Sequence, residues 1–324
     1  MGPVNWGILG AANFALRHMG PALHAATGAR LYALATPHAE KAGPFRAFCP
    51  DLVVHDSYAA LLDDPAVEAV YIPLPNTLHV EWAMKALAAG KHVLCEKPLA
   101  LGAAEIDPLI ALRDKTGLFA AEAYMIVHHP QWHQVRTWLD DGMIGTLRHA
   151  DVAFSFNNPD PANIRNRPDT GGGALPDIGV YACSSVRFAA RAEPRQLHAS
   201  IHRENGVDTF AQIIGEMEGP KGTFTYGAMT STRLAPRQEA TFQGDAGLIR
   251  LLTPFNAGTF REAELHLERT GKPTEVIRYP MVNQYILQVE NAVRTIRDGT
   301  PYPWTLEDAR AGQAMIDQIF ASEI

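Results

Sequence analysis

The chain has 324 residues, more than one average domain needs, so two domains with separate cores are expected. A composition of 47% hydrophobic and 19% charged residues is that of a globular chain, and a formal net charge of −7 without a dense Lys/Arg face excludes a nucleic-acid partner from the expectation. No apolar run is long enough to cross a bilayer. The start Met1-Gly2-Pro3-Val4 lacks the basic region and cleavage site of a signal peptide, so no membrane association and a cytoplasmic location are expected. Cys49, Cys95 and Cys183 are odd in number and far apart, which fits reduced thiols. The histidines are scattered without an HExxH, and His128-His129 are neighbours whose side chains point apart, so no metal is expected.

Val4–Leu9 reads as a short apolar strand, followed by Gly10-Ala11-Ala12-Asn13-Phe14-Ala15 and an amphipathic stretch ending near Gly28. Strand, small-residue turn, helix is the context in which a dinucleotide fingerprint carries meaning, here as G-x-A-x-x-A. Gly10 can make the tight turn and Ala15 can let helix and strand approach, whereas the methyl of Ala12 stands where backbone should meet a pyrophosphate. An ordinary βα turn fits this stretch as well.

Further strands are expected at 31–35, 52–54, 67–72, 92–95 and 118–122, with helices between them at 58–62 and 80–89. Repeated β-α with short loops predicts a doubly wound parallel sheet. Its second strand ends Ala35-Thr36-Pro37-His38 with no Asp or Glu for a ribose 2′-hydroxyl, which leaves room for the 2′-phosphate of NADP. Thr36, His38 and Lys41 are the candidate donors to that phosphate. Pro73 and Pro75 keep the fourth strand's exit extended, and Asn76 or Thr77 can cap the next helix.

The fifth strand delivers Glu96 and Lys97 to its carboxyl end, and Pro98 forbids it to continue. The proline also biases Lys97 towards extended backbone. Ligands of open parallel sheets bind beyond such strand ends.

After residue 122 the pattern changes. A helix from Pro130 to about Asp141 leads into apolar segments at 147–156, 196–202, 208–217, 222–229, 239–243 and 248–251, with Gly244-Asp245-Ala246-Gly247 as a hairpin turn. Strands in succession predict an antiparallel sheet. An Asn/Pro/Arg-rich loop, 157–170, and Gly171-Gly172-Gly173 precede a helix at 176–190. Pro176 and Asp177 suit its first turn, Asp177 and Tyr181 are four apart and share a face, and Gly179 costs the helix roughly 1 kcal/mol against Ala. Helices at 285–297 and 306–320 end the chain.

These residues resemble the Gfo/Idh/MocA oxidoreductases. The resemblance rests on Trp6-Gly7-Ile8-Leu9-Gly10-Ala11-Ala12, on Val70-Tyr71-Ile72-Pro73-Leu74-Pro75-Asn76-Thr77-Leu78-His79, on Ala89-Gly90-Lys91-His92-Val93-Leu94-Cys95-Glu96-Lys97-Pro98, and on Gly171-Gly172-Gly173-Ala174-Leu175-Pro176-Asp177-Ile178-Gly179-Val180-Tyr181. Asn163-Ile164-Arg165 before the triple glycine is similar to the branch of glucose-fructose oxidoreductase, D-xylose 1-dehydrogenase and dimeric dihydrodiol dehydrogenase. The resemblance implies an α/β chain: an N-terminal Rossmann domain, 1–122, and a C-terminal α+β domain, 123–324, with an open-faced, mainly antiparallel sheet. It also implies a homodimer or homotetramer through that sheet, NADP as cofactor with NAD as the alternative, and a sugar or cyclic polyol substrate, oxidised at an aldose C1 or as a trans-dihydrodiol. Lys97 and Tyr181 are the implied acid/base pair, with Asp177 touching substrate or orienting Tyr181. Gly10, Ala12, Asn13, Phe14, Thr36, His38, Lys41, Pro75, Asn76, His79, Glu96, Lys97 and Arg165 are the implied cofactor contacts.

Tyrosine and lysine ordinarily titrate at about 10, so either needs help from neighbours to act as a base near neutral pH. Three departures from the family pattern bear on cofactor and substrate: Ala12 for a common glycine, Pro37 for an arginine of NADP-using members, and Ile126-Val127 for a usual Tyr-Arg. A non-catalytic dinucleotide-binding sensor of the same fold is the alternative function. Retention of both Lys97 and Tyr181 favours the enzyme, since a sensor has no chemical need of them.

Overall fold

Short apolar runs, most of them stopped by a glycine, a proline or a charged residue, become the strands of the first unit. In the computed structural model, which describes residues 2–324, they are β1 (Val4–Leu9), β2 (Ala29–Ala35), β3 (Val53–His55), β4 (Ala69–Ile72), β5 (His92–Cys95) and β6 (Ala120–Glu122). All pair in parallel, in the order β3-β2-β1-β4-β5-β6. That order reverses direction between β1 and β4, and there a doubly wound sheet opens a crevice beyond its strand ends. Every residue of β4 is buried, as a strand covered on both faces requires. The helix His79–Ala88 contributes Ala83, Ala86 and Leu87, and the helix Asp107–Thr116 contributes Leu109, to a core shared with Val70, Ile72 and Val93. Each large aliphatic side chain buried there stabilises by about 1.5–3 kcal/mol. An exposed pair such as Lys85–Glu81 adds about 0–1 kcal/mol, so the apolar layer decides the fold.

The chain divides into two compact units, Met1–His128 with Gln284–Arg310, and His129–Asn283 with Ala311–Ile324. A single cut after residue 122 differs from this, because the helix Gln284–Asp298 returns to the first unit. Its buried stripe, Val289, Ala292 and Val293, packs on the helix Gly20–Ala25 and on β2. Gly28 makes room for it, since a Cβ there would stand 2.9 Å from a Val293 methyl. No helix among the described residues is long and apolar enough to cross a membrane.

The second unit holds one eight-stranded sheet of β7 (Leu147–Asn157), β8 (Glu193–Glu204), β9 (Val207–Gly219), β10 (Gly222–Ser231), β11 (Arg233–Gly244), β12 (Gly247–Leu251), β13 (Ala263–Arg269) and β14 (Glu275–Tyr279). Its order is β14-β13-β12-β11-β7-β10-β9-β8, antiparallel except where β10 lies parallel to β7. The expected hairpin turn joins β11 to β12, with Gln243 opposite Leu248, and the Asp245 carboxylate accepts the Thr146 N–H at 2.9 Å. The sequence reading passed over β13 and β14. In β13, Ala263, Leu265 and Leu267 alternate inward between charged neighbours, and β14 is a short edge strand with little buried surface. Both patterns are too short or too polar to stand out from a loop.

Candidate active site

Within the first unit the expected cofactor residues gather at the carboxyl ends of β1, β2, β4 and β5. Gly10 has φ +108, a left-handed conformation that suits glycine, and a Cβ on it would stand 3.0 Å from Leu74 and 3.3 Å from the Tyr58 hydroxyl. A helical run then begins at Asn13, passes through a π-helical stretch Ala15–Met19 and continues as Gly20–Ala25. Its first amides precede any intrahelical acceptor and point towards the crevice end of the sheet, the arrangement that receives a pyrophosphate. Ala12 is half-buried. The Phe14 ring packs edge-on against Tyr285 at 5.7 Å.

At the end of β2 the three expected phosphate donors separate. Thr36 is buried and its hydroxyl accepts the His38 N–H at 3.2 Å, so it shapes the turn. His38 and Lys41 are exposed. A carboxylate that the sequence reading overlooked, Glu40, lies 3.6 Å from His38 Nδ1. It comes after the strand has ended, which is why a search for an acidic residue at the strand's tip does not find it.

The exit of β4 is a 3-10 turn, Asn76–Leu78, after Pro75. Neither it nor the following helix has a side-chain cap, so the capping expected of Asn76 or Thr77 is not what holds this loop. His79 holds it instead. Expected at the cofactor, His79 is buried with Nδ1 2.7 Å from the Pro98 carbonyl and Nε2 2.8 Å from the Leu74 carbonyl. One ring nitrogen faces the β4 loop and the other the β5 turn, and whichever carries the proton donates to its carbonyl, so the ring sits between the two loops. Burial pulls its pKa down, against the pull of the two carbonyls.

The turn so held carries Glu96 and Lys97, and the Lys97–Pro98 peptide bond is cis. Tyr71, fully buried on β4, donates its hydroxyl to Glu96 Oε1 at 2.5 Å, and the Lys97 N–H reaches Glu96 Oε2 at 3.3 Å. Glu96 keeps part of its surface open, yet desolvation of the carboxyl is the largest influence on it and lifts its pKa to about 7. A second carboxyl, Glu122 at the end of β6, is buried and accepts the Leu99 N–H and the Trp304 indole N–H, both at 2.9 Å. Burial raises its pKa too. Nothing in the spacing of Tyr71, Glu122 or Trp304 marks them in advance. The pairing of β4, β5 and β6 brings Tyr71 and Glu122 to one end, and Trp304 reaches Glu122 from the segment after the helix Gln284–Asp298.

The second unit holds the remaining three. Arg165 Nε donates to Asp177 Oδ2 at 2.6 Å, so the residue expected on the cofactor and the residue expected on Tyr181 are bound to each other. The main chain of Arg165 is fixed as well: its N–H reaches the Asn163 side chain at 3.1 Å and its carbonyl accepts the Gly173 N–H at 2.9 Å. Gly172 lies so close that a Cβ there would be 2.5 Å from the Arg165 carbonyl oxygen, which is why this loop needs glycine. The helix that follows starts earlier than expected, with a π-helical stretch Leu175–Gly179 before Val180–Ala190. Asp208, 4% exposed on β9, caps it from outside by accepting the Leu175 N–H at 2.7 Å. Burial lifts the Asp208 pKa to about 6. Tyr181 is 4% exposed, with its ring 5.4 Å from Phe154 and 5.2 Å from Phe255. That aromatic wall fixes the ring by packing.

Residues 4–124 match the family model of the Gfo/Idh/MocA oxidoreductases with an NAD-binding Rossmann fold, and residues 132–250 match a Gfo/Idh/MocA C-terminal domain. The chain belongs to this oxidoreductase family. It is 35% identical to a dTDP-3,4-didehydro-2,6-dideoxy-alpha-D-glucose 3-reductase of Saccharopolyspora spinosa, over 98% of this chain and 94% of that protein. It is 31% identical to D-xylose 1-dehydrogenase (NADP(+)) 2 of Haloferax volcanii, over 98% of this chain and 96% of that protein. Among solved structures it resembles a 3-ketoreductase from Actinomadura kijaniata in complex with NADP and TDP-benzene, at TM-score 0.89 and 30% identity, over 99% of this chain and 98% of that one.

Proposed function

We propose that this oxidoreductase uses NADP to transfer hydride between the nicotinamide and a carbinol carbon of a sugar ring. The observation that carries the reading is the turn after β5, where Glu96 and Lys97 stand at a crevice-side strand end held by Tyr71 and His79. A bound nicotinamide supplies the hydride acceptor or donor. Glycine at position 10 and the helix start at Asn13 suit its pyrophosphate, and the strand end at 35–38 carries no carboxylate against a 2′-phosphate. Glu40 comes after the strand end and lies 3.6 Å from His38 Nδ1.

Oxidation of a carbinol requires its hydroxyl proton to leave as the carbon gives up hydride, and reduction requires the reverse. Lys97 and Tyr181 are assigned that proton, with Glu96 as the charge beside Lys97. Asp177 holds Arg165 and so fixes the loop ahead of the Tyr181 helix. Reduction of a keto sugar, free or nucleotide-linked, is the favoured substrate class, supported by the full-length likeness to sugar 3-reductases. Oxidation at an aldose C1 is the second reading, supported by the likeness to a D-xylose 1-dehydrogenase.

A panel of aldoses, cyclic polyols, keto sugars and nucleotide-linked keto sugars, each with NADP(H) and NAD(H) and followed by nicotinamide absorbance, tests this. Turnover with a sugar and a kcat/KM preference for NADP are expected. A preference of tenfold or more for NAD overturns the cofactor reading, and tight NADP binding without turnover of any sugar returns the sensor as the better account.

A further inference from the structure

Two hydrogen-bond donors share the foot of the Lys97 turn. The Tyr71 phenol, with no exposed surface, lies 2.5 Å from Glu96 Oε1, while the other oxygen of Glu96 faces the Lys97 backbone N–H at 3.3 Å. Each carboxylate oxygen therefore meets a donor. To take a proton on Oε2 the carboxyl has to face an N–H that cannot rotate away, and on Oε1 it has to turn the phenol round from donor to acceptor. Either adjustment gives up a donor that the ionised carboxylate has.

We propose that Tyr71 is a positioning residue of the hydride-transfer site: by donating to Glu96 it favours the carboxylate over the acid and fixes its orientation, and so sets the charge one residue before Lys97. This rests on the sugar-oxidoreductase reading for its catalytic consequence, though not for its chemistry. The groups that face Glu96 are Tyr71 from β4, Cys95 and Lys97 from β5 and its exit, Glu122 from the end of β6, and Tyr285 from the helix Gln284–Asp298. Lys97 favours the carboxylate and Glu122 opposes it. Tyr71 is therefore the neutral donor on which the balance turns. Burial and the neighbouring Glu96 charge hold the Tyr71 phenol well above its usual range, so it remains a donor throughout neutral pH.

The arrangement differs from a structural tyrosine in one measurable respect. A tyrosine that only fills space gives way to phenylalanine with no change in any neighbour's titration. A hydrogen bond to an ionised carboxylate is among the stronger ones, and its loss moves the carboxyl's midpoint by about one unit or more, a tenfold change in proton affinity.

The test is 13C NMR of the full chain, free of cofactor, carrying 13C at the glutamate side-chain carboxyls, with Glu96→Gln used to assign the Glu96 resonance. Tyr71→Phe is expected to raise the Glu96 midpoint at least tenfold in proton affinity. Fluorotyrosine at position 71, a stronger donor of the same shape, is expected to lower it. With the best sugar found, the acid limb of kcat is expected to move the same way as the midpoint in both variants, while the KM for NADP changes little. An unmoved Glu96 midpoint overturns the proposal, and so does a moved midpoint with an unmoved acid limb. The titration needs no turnover, so a chain that reduces and oxidises no sugar defeats the functional reading separately, and the midpoint still decides whether Tyr71 controls Glu96.

Discussion

Replacing Asp208 with Asn should change how stability depends on pH, and the size of the change follows from the site. The Asp208 carboxylate is 4% exposed and accepts the Leu175 N–H at 2.7 Å at the head of the Tyr181 helix. Desolvation outweighs the backbone donors at Leu175 and Ala174 and the charge of Arg203, and lifts the pKa to about 6. Between about pH 4 and this value, the folded chain holds a proton that the unfolded chain has released. Stability contributed by the site is therefore full below the unfolded pKa and is lost as pH rises through the folded one. A shift of about two units corresponds to about 3 kcal/mol, as an order of magnitude. Asparagine keeps an oxygen for the Leu175 N–H and has no proton to lose. In urea denaturation with unchanged m-value, the variant should gain about 2–3 kcal/mol on the wild type between about pH 4 and pH 7.5. Parallel stability curves for the two proteins over that range would refute the reasoning.

Lys97→Met keeps most of the stem and removes the charge, so NADP binding should change little while turnover falls roughly 10²-fold or more; wild-type kcat in the variant would end the catalytic assignment. Tyr181→Phe should fall comparably, and the double variant should lose less than the product of the two single losses, as steady-state kinetics on all three will show. Arg165→Ala leaves Asp177 without this partner but removes a pair whose arginine is 39% exposed, so Tm should drop only slightly while the Kd for NADP rises; an unchanged Kd would confine Arg165 to its own loop. Gly20→Ala should cost more than the usual few tenths to 1 kcal/mol of a helix surface change, because a Cβ there would stand 2.8 Å from the Ala15 carbonyl oxygen; a melting curve like the wild type's would show that the helix can rewind.

The first unit was largely legible because most of its parallel strands are short apolar runs ended by an unmistakable stop. β1 and β5 lie where their sequence says they do, and Pro98 marks the turn that carries Glu96 and Lys97. Legibility failed where a side chain's role depends on a partner distant in sequence. His79 reads as a ligand-facing histidine at a loop end, and in the structure it is buried with one ring nitrogen facing the Leu74 carbonyl and the other the Pro98 carbonyl. Asp208 reads as the first residue of a strand, and its work is done on a helix 33 residues earlier. Tyr71 reads as one apolar residue of β4, and its hydroxyl meets a carboxylate 25 residues later. In each case the local pattern specifies the backbone correctly and is silent about what the polar atom meets.

The π-helical stretches show the same limit in another form. Asp177 and Tyr181 stand four apart, which on a regular α-helix stacks them on one face. The structure makes Leu175–Gly179 a wider turn that takes in Asp177, whose carboxylate meets Arg165, while Tyr181 in the turn that follows packs on Phe154 and Phe255. A matching turn, Ala15–Met19, opens the helix after Gly10, and Gly20 closes it with its N–H on the Ala15 carbonyl, five residues back. That longer bond draws the carbonyl over the Gly20 Cα, which explains a glycine where helix propensity argues against one. Gly179 closes the second turn against the Leu175 side chain, 3.0 Å from where its Cβ would be. Read from propensity alone, Gly179 is a cost that suggests something large approaching the helix. In the structure, what approaches is the helix's own widened first turn.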